Sequence, residues 1–130
     1  MSSMTLHDFI DPSFFYAVVG ATTNPANPSS RVLFALYDQG FSAVGICGVE
    51  DEGNGVRTCE ALAFTDDRPD VVIVTGCTMI GLKNLIQECV ASKLNKIWIQ
   101  PEVEVDDKIL ALMGQAGIEV MQGEDFLANI

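Results

Sequence analysis

The stretch "FFYAVVGATTNPANPSSRVLFALYDQGF", residues 14–41, decides the fold. Residues 16–20 form an unbroken apolar run closing on glycine, the pattern of a strand covered on both faces in a parallel sheet. Beyond a polar loop, Val32, Leu33, Leu36 and Tyr37 recur at three- and four-residue steps, which predicts a helix over 29–39. Ser29 and Ser30, just after Pro28, are its candidate N-caps, and Gly40 supplies the left-handed stop.

The same alternation continues along the chain. Residues 41–46 read as a second strand, and 47–55, rich in glycine and carrying Glu50, Asp51 and Glu52, as a loop. A short extended piece at Val56 and Arg57 and a helical turn near Glu60 lead to a clear strand at 71–74. Leu82, Leu85, Ile86, Cys89, Val90 and Leu94 then mark one buried helical face. Residues 96–100 form another strand closed by Pro101. Asp106 caps a helix carrying Ile109, Leu110, Leu112 and Met113 up to Gly117, and 118–121 finish as a strand.

Strands alternating with helices imply a three-layer α/β domain with a mostly parallel sheet of about five or six strands. If the first strand is central, the strand at 71–74 lies beside it, on the side opposite 41–46. A crevice then opens at their C-terminal ends, bordered by Gly20 and Gly76.

At 130 residues the chain fits one domain, 1–130, with 1–12 as a peripheral N-terminal segment. Its 18 acidic and 7 basic residues give a net charge of −11, which repels nucleic acid and anionic membrane surfaces. No segment has the length of a membrane span, and the first residues lack the basic and apolar regions of a signal peptide, so a cytoplasmic location is expected. Cys47, Cys59, Cys77 and Cys89 have no Cys-x-x-Cys spacing, and His7 is the sole histidine, so a zinc site is not expected. The cysteines read mostly as small core residues, and Trp98 as core or dimer contact. The run at 50–52 lacks the periodic oxygens of a calcium loop and reads as solvated.

The loop after the first strand has the elements of an anion site. Gly20 allows close backbone approach, Thr22 and Thr23 carry hydroxyls, Pro25 and Pro28 stiffen the segment, and Ser29 and Ser30 open a helix with free amides. Arg31 stands in the first helical turn, where a cation opposes the helix dipole unless an anion lies nearby. The residues leave two readings open: a phosphate-holding loop, or a polar connection in which Thr and Ser only cap and turn. The dinucleotide fingerprint and the Walker loop are both missing, which disfavours NAD. Cys77, at a helix start, raises thiol chemistry as a further reading, without an evident general base.

With these pieces placed, residues 18–41 resemble the small stand-alone CoA-binding proteins, whose domain is shared with the N-terminal part of the succinyl-CoA synthetase α subunit. "RPDVVIV", residues 68–74, and "KIWIQ", residues 96–100, carry the same resemblance, which runs from about Phe14 to Phe126. It implies a Rossmann-like fold and coenzyme A as ligand, held by the first loop and the following strand ends. Gly20, Thr22, Asn24, Pro25, Ser30 and Arg31 are the positions it carries over; Gly76 and Cys77 join them at the neighbouring strand end. The sequence departs from the family at two places: Cys47-Gly48-Val49 and three acids replace an Asn-Pro, and Pro101 follows Gln100 in place of Gly. The expected function is therefore non-catalytic binding of CoA or an adenine nucleotide derivative. The alternatives are an oligomer-forming interaction module with a degenerate pocket, and thiol chemistry at Cys77.

Overall fold

Strand β1, Phe15–Val19, is the centre of the sheet, flanked on one side by β2, Ser42–Ile46, and on the other by β5, Val71–Val74. The computed structural model describes residues 8–65, 67–76 and 79–130. Both neighbours run parallel to β1, in registers that align Val18 with Gly45 and with Ile73. Outward from β2 come β4, Val56–Cys59, and β3, Asp51–Gly53; outward from β5 come β6, Lys96–Ile99, and β7, Glu119–Gln122. The sheet thus has seven strands in the order β3-β4-β2-β1-β5-β6-β7, more than the sequence predicted.

The additional strand is β3, inside the segment read as a loop. It pairs antiparallel with β4 through a turn at Asn54 and Gly55, whose φ values of 52° and 85° are those of a type I′ hairpin. The Asn-Gly dipeptide was the available signal. It was masked because Asp51-Glu52-Gly53 carries no apolar alternation to mark a strand.

Helix α1, Arg31–Asp38, covers one face of the sheet, and α2, Met79–Ala91, with α3, Asp107–Gln115, covers the other. Alternate strand residues serve opposite layers. Tyr16, Val18, Ile73 and Trp98 pack with Leu33 and Leu36 of α1, whereas Ala17, Val72, Val74 and Ile97 pack with Leu82, Cys89, Ile109 and Met113. Both faces being covered explains the continuous apolar runs. Trp98 is fully buried, edge-on to Phe9 and Phe126, and so belongs to the core rather than to a surface contact. Val90 departs from the expected buried face: it is 52% exposed, because α2 turns that flank away from α3 and the sheet. Among the described residues no helix is long and apolar enough to cross a membrane.

The helices stop as glycine and capping chemistry dictate. After α1, Gly40 donates its amide to the Tyr37 carbonyl and Phe41 to the Leu36 carbonyl, a Schellman closure. Asp106 caps α3, its carboxylate accepting from the Ile109 amide at 2.9 Å.

Candidate functional site

The chain leaves β1 toward α1 and β2 on one side and resumes with β5 on the other, so the strand order reverses between β1 and β5, which stay parallel. Ligand crevices of open α/β sheets form at such points, beyond the C-terminal strand ends. Gly20 ends β1 with φ +98°, and a Cβ there would lie 2.4 Å from the Thr75 carbonyl oxygen. Thr75 in turn donates its amide and its hydroxyl to the Val19 carbonyl, at 3.0 and 2.7 Å. Gly76 presses on the loop from the same side, its missing Cβ 2.7 Å from Ser29 Oγ. The two glycines expected to border one site are therefore brought together, each against the opposite loop.

Between Gly20 and α1 the loop is closed by its own side chains. Ser30 is fully buried and its Oγ accepts from the Thr22 amide at 2.8 Å, with the Thr22 hydroxyl 3.2 Å away. Asn24 Oδ1 accepts from the Ala26 amide, and Asn24 and Pro25 form an exposed turn. The expected capping by Ser29 and Ser30 is corrected here. A short 3-10 turn, Pro28–Ser30, precedes α1, and its cap is Asn27, whose Oδ1 accepts from the Ser29 amide at 2.9 Å. Ser30 makes no side-chain cap because its hydroxyl is used on Thr22.

The expectation of free amides at the helix start is corrected with it. The Ser29, Ser30 and Arg31 amides are taken by Asn27 Oδ1, the Asn27 carbonyl and the Pro28 carbonyl. Charge at this helix start comes from the Arg31 side chain instead.

A crevice of about 430 Å³ opens beside this loop, lined among others by Pro28, Arg31, Val32, Thr75, Gln100 and Leu127. Arg31 is exposed, and among the described residues it makes no ion pair. Among the described residues it is the sole cation of the lining, which also carries the carboxylates of Glu102 and Asp125. Asp125 is partly engaged, since its Oδ1 accepts from Gln100 Nε2 at 3.0 Å and from the Leu127 amide at 3.1 Å. Gln100 is buried and also accepts, through Oε1, from the Phe126 amide at 2.8 Å and Trp98 Nε1 at 3.2 Å. It fixes the wall where β6 meets the C-terminal 3-10 turn, Phe126–Asn129.

Of the site residues singled out in the sequence, Arg31 lines this crevice; Gly20, Thr22, Asn24, Pro25, Ser30 and Gly76 are not among its lining, Gly20 standing against Thr75, Gly76 against Ser29, and Thr22 bonded to Ser30. Thr75 and Asp125 were missed as site residues. Thr75 looks like the end of a strand and Asp125 like a local turn former until the fold joins them. The acidic segment after β2, read from the sequence as a solvated loop, instead forms a hairpin that touches the loop directly at Thr23. A smaller hollow of about 180 Å³ beside β4 is lined by Glu50 and Glu60 as well as Arg57.

Cys77 and His7 lie outside the described residues. Cys89 is fully buried, and burial, with Glu88 nearby, pushes its thiol up to about 12, so it is core and not a nucleophile. Cys59 is also buried, and Cys47 is half-buried with its Sγ 3.7 Å from the Val49 carbonyl. Among the described residues no group of three or more His, Cys, Asp or Glu side chains is placed to hold a metal ion.

A mostly parallel sheet whose strand order reverses at its centre, with a crevice at the strand ends there, defines a Rossmann-like domain. The family model of the CoA binding domain matches residues 15–125, and the chain belongs to that family. It is similar in structure to a conserved hypothetical protein from Pyrococcus furiosus, at 26% identity over 90% of this chain and 99% of that one, with a TM-score of 0.78. A Thermus thermophilus protein matches at 20% identity over 88% of this chain and 86% of its own, with a TM-score of 0.76. The dinucleotide-forming acetyl-coenzyme A synthetase 1 of Candidatus Korarchaeum cryptofilum shares the fold at 19% identity and a TM-score of 0.71, over 89% of this chain but 27% of its own length. The comparison with curated proteins finds no match.

Proposed function

We propose that the chain, as one domain, binds coenzyme A or a related acyl-CoA or adenine nucleotide derivative in the crevice at the ends of β1, β5 and β6, without a reaction of its own. The observation that carries this reading is Arg31: a cation on the crevice rim, set against the dipole of α1, with no ion pair among the described residues. An anionic ligand group there removes that cost and gains a charge-assisted hydrogen bond. Family membership supports CoA as the source of the anion. In this reading Gly20, Thr22, Ser30 and Gly76 hold the loop in shape, Asn24 and Pro25 form its outer rim, and Cys77, next in sequence after Gly76, is a further contact expected from the sequence. With a chain so acidic overall, one well-placed guanidinium has to outweigh the surrounding field locally.

Thermal unfolding with CoA, acetyl-CoA, NAD and ATP side by side tests it. Saturating CoA, at about a hundred times its dissociation constant, should stabilise the protein by about 2.7 kcal/mol. Arg31→Ala should fold normally and lose roughly ten- to a hundredfold in affinity, the worth of one charge-assisted hydrogen bond. An unchanged melting temperature with millimolar CoA would end the proposal.

A further inference from the structure

The β3–β4 hairpin reaches the ligand loop through two contacts that span long stretches of sequence. Thr23 Oγ1 donates to Asp51 Oδ2 at 2.9 Å, and Asn54 Nδ2 donates to the Thr23 carbonyl at 2.8 Å. Gly53 completes the seat, where a Cβ would stand 3.7 Å from that of Thr23. One residue is thus held by hydroxyl and carbonyl at once, by partners that are not part of the crevice lining.

The hairpin is itself anchored. β4 pairs with β2, aligning Thr58 with Gly45 and Cys59 with Ile46, and Thr58 Oγ1 donates to the Val49 carbonyl at 3.0 Å. The Cys47 and Gly48 amides bond to the carbonyls of Cys59 and Glu60. The tip therefore stands on the sheet and meets the loop as a fixed body. Asn54 has two tasks there, since its φ of 52° makes the turn while its amide group reaches Thr23.

We propose that this hairpin is a clasp for the ligand loop, with Asp51 and Asn54 as positioning residues that hold Thr23 and so preset the loop through Asn27 for its ligand. The proposal rests on the crevice being the ligand site. Thr23, whose proton is committed to Asp51, is a tether and not a phosphate donor. The carboxylate of Asp51 also has an effect of opposite sign, because its charge disfavours an approaching anion. Position and charge can therefore be separated by substitution.

The experiment pairs CoA titration calorimetry with amide hydrogen exchange across residues 22–29. Asn54→Gly keeps a residue suited to the turn and removes the side chain that carries the amide group; Thr23→Val removes the tethered hydroxyl, and Thr23→Ser retains it. Asn54→Gly and Thr23→Val should each speed loop exchange and weaken CoA binding by about three- to tenfold, the worth of one net hydrogen bond, with Thr23→Ser near the parent protein. Asp51→Asn keeps an acceptor but loses the charge, and should leave loop exchange unchanged and CoA binding equal or tighter. If the parent protein does not bind CoA, the proposed function fails, while faster loop exchange in Asn54→Gly still upholds the clasp. Unchanged loop exchange in both Asn54→Gly and Thr23→Val overturns the clasp, whatever CoA does.

Discussion

The two ends of the sheet both use left-handed backbone, for different reasons. At the crevice end Gly20 and Gly76 stand where a Cβ would run into Thr75 or Ser29. At the opposite end, where α1 and α3 stop, Gly40 and Gly117 have open space around them, and the stop after α2 is made by Lys93 at φ 60°. Lys93 donates to the Val90 carbonyl and Leu94 to the Cys89 carbonyl, as Gly40 and Phe41 do after α1. Helix stops ask glycine for backbone freedom alone and accept a substitute at modest cost. The crevice asks for the absence of a side chain as well, which is what closely opposed loops require.

The largest expected effect that tests this contrast is Gly20→Ala. A methyl 2.4 Å from a backbone carbonyl must push strand ends apart, so the cost should be roughly 3 kcal/mol or more, combining left-handed strain with overpacking. Urea unfolding measures it, and a loss below about 1 kcal/mol would dissolve the distinction. Gly76→Ala should cost less, about 1–2 kcal/mol, because its obstacle is the Ser29 hydroxyl, which can rotate away. The smallest effect has the opposite sign. Lys93→Gly relieves left-handed strain while loosening the unfolded chain, and should raise stability by at most about 1 kcal/mol in the same assay.

The fold was legible where its causes are local. Residues 16–20 and 71–74 are apolar without interruption because helices cover both faces, and Gly40 and Asp106 mark helix ends through their own backbone chemistry. Legibility ended where a residue's role depends on a distant partner. Ser30 has the composition of a cap, yet its hydroxyl serves Thr22, while Asn27 caps the helix start. Asp51 looked like part of a solvated acidic run until the fold set it against Thr23, 28 positions earlier. Val90 fits the helical period, but the period does not say where the apolar stripe ends. For the candidate site, the loop and Arg31 could be read from the sequence. The wall formed by Gln100 and Asp125 could not, since only the packing of the C-terminal turn under β6 brings it there.

That wall gives the molecule an optical property. The chain has one tryptophan, and Trp98 is fully buried, donating from Nε1 to the Glu124 carbonyl at 2.9 Å and to Gln100. Indole emission therefore arises from a single dry fluorophore that shares Gln100 with the crevice lining. Its colour and quenching report on the end of β6 without a label, giving an intrinsic spectroscopic gauge of that wall distinct from the global unfolding signal.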